Sequence, residues 1–401
     1  MSKELTVQEL EDVKQVVCDE VDAISDILVE ASHAIHSNPE LNFEEYFAHE
    51  TLTGILDDQG LKPERGAYDL ETAFEASVGD EGVCVAVLCE YDALPEIGHA
   101  CGHNIIGTAG LGAGIAASKV AQKLGGSLRI LGTPAEEGGG GKVFMAERGA
   151  FDNVDAAMMV HPASADLVKM NTIAIQRLHV AYEGLAAHAA AAPHRGQNAL
   201  DAAVLGYQNI AALRQHIRPD ERIHGIFLES GSKPNIVPEH SSMEWYVRSK
   251  NAKSLEPLKE RVLNCLEAGA MATSCTMSHD WIEPYYADMI DNETICTLYS
   301  TNASRLGRLL IEPDNENKVV GSTDMGNVSY IVPSIHPMIE VAPHGVPIHT
   351  PDFANYARSE AGDKAVIDGA KIMAMTVVDL WGQKTNFEKA HLEFQQAFQT
   401  T

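Results

Sequence analysis

The sequence is poor in basic residues and has no long hydrophobic run, and each absence excludes a class of protein. Only 29 Lys and Arg stand against 57 Asp and Glu, which gives a formal net charge of −28. Because nucleic acid and anionic membranes repel a chain this acidic, we expect neither as a partner. No stretch approaches the roughly 20 apolar residues that a membrane span needs. The charged start of the chain lacks an apolar signal core, and we expect a cytoplasmic protein.

Cysteine is also scarce, with seven residues scattered over the 401-residue chain. An odd number without clustered spacing fits reduced, mostly buried thiols better than a disulfide framework. Only Cys101 has neighbours that suggest chemistry. A chain of this length exceeds what one hydrophobic core normally supports, so we expect two domains.

Hydrophobic periodicity predicts an α/β fold with an inserted α+β domain. Continuous apolar runs at 83–89, 128–132 and 156–160 have the length and composition of strands covered on both faces. We predict helices at 7–36, 43–59, 105–124 and 364–380. Between about 174 and 282 the pattern changes to two pairs of strands with two helices. The predicted domains are therefore 1–173 and 289–401, separated by an insertion at 174–288.

Groups able to bind metal or move protons follow each of the three predicted strands. Glu90 and Asp92 follow the first, Glu136 and Glu137 the second, and His161 the third. Sites in open α/β sheets form at the carboxyl ends of strands, so we expect these side chains to lie close together. The alternatives are strand-end capping for Glu90 and Asp92 and a solvated acidic pair at 136–137.

The loop from His99 to Asn104 places a thiol and two imidazoles within five residues. Cys101 and His103 at this spacing suit joint ligation of a divalent transition metal. The alternative is a nucleophilic Cys101 activated by His103, but two residues of separation place the pair poorly for that reaction. If a metal lowers the pKa of a bound water, one carboxylate of the 136–137 pair can act as the general base.

Two further histidines are candidates with an open alternative each. His161 is either a ligand or a hydrogen-bonded structural histidine. His349, between Ile348 and Thr350, has the same ambiguity, and His344 competes with it.

With these pieces assembled, the chain resembles the aminoacylase and amidohydrolase family of dinuclear metallopeptidases, which includes indole-acetyl-amino-acid hydrolases and aminobenzoyl-glutamate hydrolase. The matching stretches follow the family order over nearly the whole chain: 92–95 (DALP), 99–104 (HACGHN), 134–140 (PAEEGGG), 161–162 (HP), 184–189 (GLAAHA), 235–238 (NIVP), 321–324 (GSTD) and 348–351 (IHTP). Two departures are Glu90-Tyr91-Asp92 in place of Asp-x-Asp and Asn104 in place of an Asp. Asn104, with the segment at 322–327, favours the aminobenzoyl-glutamate hydrolase and dipeptidase branch.

The resemblance implies a zinc-peptidase-like catalytic domain, with a central mixed sheet flanked by helices, and an inserted lid that mediates homodimerisation. It implies that two divalent metal ions, Zn²⁺ or Mn²⁺, are held by five residues: Cys101, His103, Glu137, His161 and His349. Glu136 would be the general base, and His99 would stay outside the ligand set.

On the inserted domain, the resemblance implies that His188 steadies the oxyanion of the tetrahedral intermediate. Asn235 and Arg248 would hold the substrate carboxylate, a task that suits a guanidinium fork. We therefore expect a metal-dependent amidohydrolase or peptidase that cleaves an N-acyl amino acid, an aminobenzoyl-glutamate-like conjugate or a dipeptide. The rival hypotheses are a cysteine hydrolase using Cys101 and a non-catalytic binding or scaffold protein that kept the fold.

Overall fold

A computed structural model describes residues 4–314 and 320–399 of the chain. Contacts divide the chain into two compact units. The first comprises Met1–Asn171 and Met289–Thr401, and the second is Thr172–Asp288. No helix among the described residues is both long and apolar enough to cross a membrane.

From residue 4 to residue 172, the structure has five α-helices and seven strands. The helices are α1 (Val7–Ala23), α2 (Ser25–Ser37), α3 (Tyr46–Asp58), α4 (His103–Leu124) and α5 (Gly141–Glu147). The strands are β1 (Glu64–Arg65), β2 (Phe74–Val78), β3 (Cys84–Cys89), β4 (Ser127–Gly132), β5 (Ala156–Met158), β6 (His161–Ala163) and β7 (Asn171–Thr172).

The second unit is an α+β domain. Its elements are β8 (Ala174–Glu183), α6 (Ala199–Leu213), β9 (Arg222–Glu229), β10 (His240–Ser249), α7 (Ala252–Thr273) and β11 (Thr276–Tyr286). The four strands form one antiparallel sheet in the order β11-β8-β10-β9. Alternate residues of β10, including Trp245 and Val247, are buried in a hydrophobic core with residues of α6 and α7.

The chain then returns to the first unit. The remaining elements are α8 (Glu293–Arg305), β12 (Val320–Gly321), α9 (Met325–Ser329), β13 (Ser334–Ile335), β14 (Met338–Glu340), α10 (Pro351–Tyr356), α11 (Glu360–Gly382) and α12 (Lys384–Gln399).

The central sheet of the first unit is mixed, as the sequence predicts. Its order is β1-β2-β4-β3-β5-β13. Strands β4, β3, β5 and β13 are parallel to one another, and β2 is antiparallel to both of its neighbours, β1 and β4. Apolar residues cover both faces: Val85 and Val87 of β3 join a core with α4 and α11, while Ala86 and Leu88 join one with α5 and α9. The carboxyl ends of the parallel strands therefore open at one edge, with helices closing both faces.

Three boundary predictions are wrong. The helix predicted over 7–36 is broken at Ile24, where the Ser25 hydroxyl donates a hydrogen bond of 2.9 Å to the Asp22 carbonyl oxygen. Such a local side-chain bond competes with the helical backbone bonds. The strand predicted over 156–160 ends at Met158, and His161 begins β6, which pairs with β14. The helix predicted over 43–59 begins three residues later, at Tyr46, and ends at Asp58.

Candidate metal centre

The loop before α4 brings Cys101 and His103 against β6. Gly102 adopts a left-handed conformation with φ of 82°, and a Cβ there would lie 2.9 Å from Cγ of Pro162. Only glycine therefore permits both the turn and the close approach. The Cys101 Sγ lies 3.3 Å from Nε2 of His161, whose Nδ1–H donates to the Pro162 carbonyl oxygen at 2.7 Å. This bond leaves Nε2 of His161 with a lone pair directed at the site.

His103 is fully buried and has one ring nitrogen available. Its Nδ1 is 3.0 Å from Oδ1 of Asp92, whereas Nε2 has no hydrogen-bond partner in the described part of the chain. Three carboxylates face Nε2: Glu90 at 3.7 Å, Glu137 at 3.9 Å and Glu136 at 4.0 Å. Burial disfavours the charged imidazole, but the charge of Asp92 outweighs it and raises the pKa of His103. The local field therefore favours a cation at this nitrogen.

Glu136 and Glu137 follow β4 on a turn where Ala135 adopts φ of +59°. Burial and the charges of Glu90 and Glu137 raise the pKa of Glu136 well above its usual value. Burial alone would raise the pKa of Glu137 as well, but the hydrogen bond from His349 and the charge of His103 outweigh it and lower the pKa. Adjacent carboxylates with opposite pKa shifts suit one proton-carrying group and one anionic ligand.

His349 reaches the same cluster from the segment before α10. Its backbone has φ of +63°, and its N–H donates to the Ala100 carbonyl oxygen at 2.8 Å. Its Nε2 lies 3.2 Å from Oε1 of Glu137, and the side chain is about half exposed at 48%. His344 is exposed and belongs to none of the donor clusters found among the described residues.

The described residues contain three overlapping sets of donor atoms, and the atoms within each set lie within 4.8 Å of one another. They are Cys101, His103 and His161; Cys101, Glu137 and His349; and His103, Glu136 and Glu137. A soft sulfur, borderline nitrogens and hard oxygens at this spacing are a donor set for divalent transition metals. Together with the orphaned Nε2 of His103, the residues present fit such ions.

The environment of Cys101 is unsuited to a cysteine nucleophile. Its side chain is buried, and burial together with the charge of Glu137 raises the pKa of the thiol well above its usual value. A reactive cysteine needs the opposite shift, because the thiolate is the nucleophile.

The candidate residues of the second unit occupy its loops and sheet. Nδ1 of His188 accepts hydrogen bonds from the backbone N–H groups of Ala190 and Ala191 at 3.2 and 3.1 Å, so the ring proton is on Nε2. The Asn235 carbonyl oxygen accepts from the Ala189 N–H at 3.0 Å, which brings these two loops together.

Arg248 of β10 lies over the Tyr246 ring, 5.7 Å from its centroid. Burial lowers the pKa of Arg248, and its buried Nε has no hydrogen-bond partner in the described chain. A guanidinium that is partly buried and has an Nε without a hydrogen-bond partner is suited to bind an anion. These residues belong to the second unit, whereas the metal-ligand candidates belong to the first.

Sequence reasoning missed a buried cation beside the metal-ligand candidates. The Lys142 Nζ lies 2.5 Å from Oε1 of Glu90 and 2.8 Å from Oδ1 of Asp324, and all three side chains are fully buried. It also missed His336, a buried ring 5.3 Å from that of His161, with no hydrogen-bond partner among described residues. Lys142 and Asp324 are 182 positions apart, so no local signal links them.

Comparison with known proteins identifies the family. Residues 87–378 match the profile described as Peptidase family M20/M25/M40. The chain belongs to this family. The predicted resemblance is thereby confirmed, and the protein is an enzyme of the metal-dependent class that hydrolyses amide bonds.

Relatives in sequence and structure span almost the whole chain. It is 38% identical to an Xaa-Arg dipeptidase of Mus musculus, covering 96% of this chain and 93% of the relative. It is 28% identical to one of the chains of the p-aminobenzoyl-glutamate hydrolase of Escherichia coli K12, covering 98% and 96%. A Bacillus subtilis structure, described as a dinuclear metal-binding peptidase of family M20, shares the fold with a TM-score of 0.69 and 18% identity, covering 90% and 99%.

Proposed function

We propose that this enzyme is a dinuclear metallodipeptidase, with the metals held by Cys101, His103, Glu137, His161 and His349. The observation that carries the proposal is the three overlapping donor sets at the carboxyl edge of the sheet, with Glu136 in one of them. The Bacillus subtilis relative, described as dinuclear, supports two ions. When bound, divalent ions supply Lewis acidity and lower the pKa of water.

The proposed chemistry of the protein residues follows from their surroundings. Glu136, whose raised pKa favours holding a proton, accepts one from the attacking water and returns it to the leaving nitrogen. Asp92 keeps His103 in one tautomer through the 3.0 Å bond to Nδ1. His188, with its proton on Nε2, is the proposed donor to the oxyanion, and Asn235 and Arg248 are the proposed partners of the substrate carboxylate.

The substrate class that we propose is a dipeptide with a basic C-terminal residue. Support comes from the Xaa-Arg dipeptidase, which is 38% identical over 96% of this chain. A net charge of −28 favours the approach of a cationic substrate. N-acyl amino acids and aminobenzoyl-glutamate are the competing classes, the second being named in the Escherichia coli relative.

We further propose that the second unit, Thr172–Asp288, is an inserted lid through which two copies of the enzyme associate. Strand β9 is the edge of its sheet and exposes Ile226 and Leu228 at 61% and 48%. An unpaired apolar edge strand is a ready surface for another strand. A mass matching the monomer in light scattering at assay concentration would contradict the dimer.

The proposed location is the cytoplasm, where the seven free cysteines would stay reduced.

The test of the proposed function combines metal analysis with a substrate panel. Protein stripped with a chelator is reloaded with Zn²⁺ or Mn²⁺ and assayed on Xaa-Arg, Xaa-Lys and Xaa-Glu dipeptides, N-acetyl amino acids and aminobenzoyl-glutamate. We expect loss of activity on chelation, recovery on reloading and preference for basic dipeptides. Glu136→Ala is expected to keep its metal and lose at least about a hundredfold in kcat. Activity that survives chelation but is abolished by a thiol alkylator would refute the proposal in favour of the cysteine mechanism.

A further inference from the structure

Glu45, a carboxylate buried just before α3, contacts the turn that carries the proposed general base. Its side chain is 0% exposed. Oε1 accepts hydrogen bonds from the N–H groups of Ala135 and Phe43, both at 2.9 Å. Oε2 accepts from the Thr72 hydroxyl at 2.7 Å. One side chain thus joins three segments, one of which is the residue before Glu136.

The backbone that Glu45 holds is one that alanine rarely adopts. Ala135 has φ of +59°, in the left-handed region that costs a non-glycine residue about 1 kcal/mol or more. Such a conformation persists only where the surroundings fix it. Because Ala135 immediately precedes Glu136 on the turn after β4, its φ and ψ help to set the direction of the Glu136 side chain.

The residues next to Glu45 hold the other side of the same turn. The Asn42 side-chain amide donates to the Glu137 carbonyl oxygen at 2.6 Å. Phe43, itself at φ of +62°, packs so closely on Gly139 that a Cβ there would lie 2.9 Å from the Phe43 ring. The segment 42–45 therefore contacts the turn before, within and after the Glu136–Glu137 pair.

These contacts favour a role beyond filling the core. A carboxylate without water costs free energy, and apolar packing against Ala135 would avoid that cost. Glu45 belongs to none of the donor sets found among the described residues. Besides Phe43 and Thr72, Glu45 binds the backbone of residue 135, and the Asn42 amide binds the backbone of residue 137.

We propose that Glu45 is a positioning residue that, with Asn42, aims Glu136 at the attacking water. This inference rests on the proposed role of Glu136 as general base. A base misaimed by about 1 Å loses on the order of a hundredfold in rate, while substrate binding by other groups is untouched. Loss of Glu45 therefore lowers kcat and leaves KM and metal content nearly unchanged.

The test compares Glu45→Ala, Glu45→Gln and the neighbouring Glu44→Ala in the full-length, metal-loaded enzyme. We expect Glu45→Ala to lose about 30- to 100-fold in kcat with KM changed less than about threefold. Glu45→Gln should recover most of kcat, because its amide oxygen accepts from the same N–H groups and its NH₂ can donate to the Thr72 hydroxyl. Glu44 is exposed and serves as the matched control with unchanged kcat.

A double-mutant cycle separates positioning from general stability. If Glu45 acts through Glu136, Glu45→Ala causes no further loss in a Glu136→Ala background. A full additional loss there, or a metal content halved by Glu45→Ala alone, overturns the inference while leaving the proposed function intact. If Glu136→Ala itself keeps wild-type turnover, the proposed function fails instead.

Asn42→Ala keeps the test decisive if Glu45→Ala does not fold. Asn42 is only partly buried, and we expect its alanine variant to fold, bind metal normally and lose about tenfold in kcat. Wild-type kcat in Asn42→Ala and in Glu45→Gln, with Glu45→Ala unfolded, would show that the segment serves stability alone and would overturn the inference.

Discussion

Replacing Lys142 by methionine removes a cation that directly contacts a buried pair of carboxylates. Methionine keeps the length and apolar character of the side chain, so the change isolates the charge. Nζ of Lys142 lies 2.5 Å from Glu90 and 2.8 Å from Asp324, and its backbone N–H also donates to Asp324 at 2.9 Å. The variant leaves both carboxylates in the interior without that partner.

The expected cost follows from the burial of all three groups. Removing one member of a buried ion pair costs about 3–5 kcal/mol, because the remaining charge is neither solvated nor paired. Both carboxylates are fully buried, which places Lys142→Met at the upper part of that range. For a protein of 401 residues, that loss corresponds to a fall in Tm of about 5–6 °C.

Thermal unfolding of the metal-free protein measures the effect, with Lys119→Met as the control. Lys119 lies exposed on α4, so its loss should change Tm by less than about 1 °C. Adding Asp324→Asn to Lys142→Met removes one of the stranded charges and should return part of the stability. A Tm within about 2 °C of wild type for Lys142→Met would refute the reasoning, since it would mean that the carboxylates are protonated or reached by water.

Three further predictions concern separate parts of the molecule. His188→Ala should lower kcat about 10- to 1000-fold and leave metal content unchanged; an unchanged rate would mean that this histidine is structural. Asp92→Asn should weaken metal binding about 10- to 100-fold in chelator competition, because the carboxylate charge that faces Nδ1 of His103 is lost. Burial raises the pKa of Asp291 to about 7, so the folded state binds the extra proton and stability falls as pH rises from about 4 to about 7. Asp291→Asn should flatten this dependence and, at pH 8, raise stability by up to about 4 kcal/mol; identical Tm-versus-pH curves would contradict it.

The sequence predicts the central sheet, and it also indicates the metal-ligand candidates that the structure brings together, because both leave local signals. The runs at 83–89 and 128–132 are apolar throughout, and a strand buried on both faces requires that composition. Cys101 and His103 are two residues apart, and Glu137 lies five residues after the end of a strand, so their types and places are visible without a structure. The residues that contact these groups cannot be recognised in the sequence. They come from distant segments, and their residue types are common on the surface of any acidic protein.

Sequence reasoning missed the buried position of Glu45 because it misplaced a helix boundary. The pattern predicts a helix from residue 43, which would make Glu45 an exposed acidic residue of the first helical turn. Acidic residues are common at that position, so nothing in the sequence marks Glu45 as unusual. In the structure α3 begins at Tyr46, and the preceding segment turns at Phe43 with φ of +62°, so that Glu45 faces inward to Ala135. Propensity cannot predict this, because a phenylalanine in the left-handed region is locally unfavourable and is held by contacts with residues about 90 positions away. A three-residue shift in a helix start therefore separates a solvated carboxylate from one that contacts the turn before Glu136, and the Glu45 variants measure the difference.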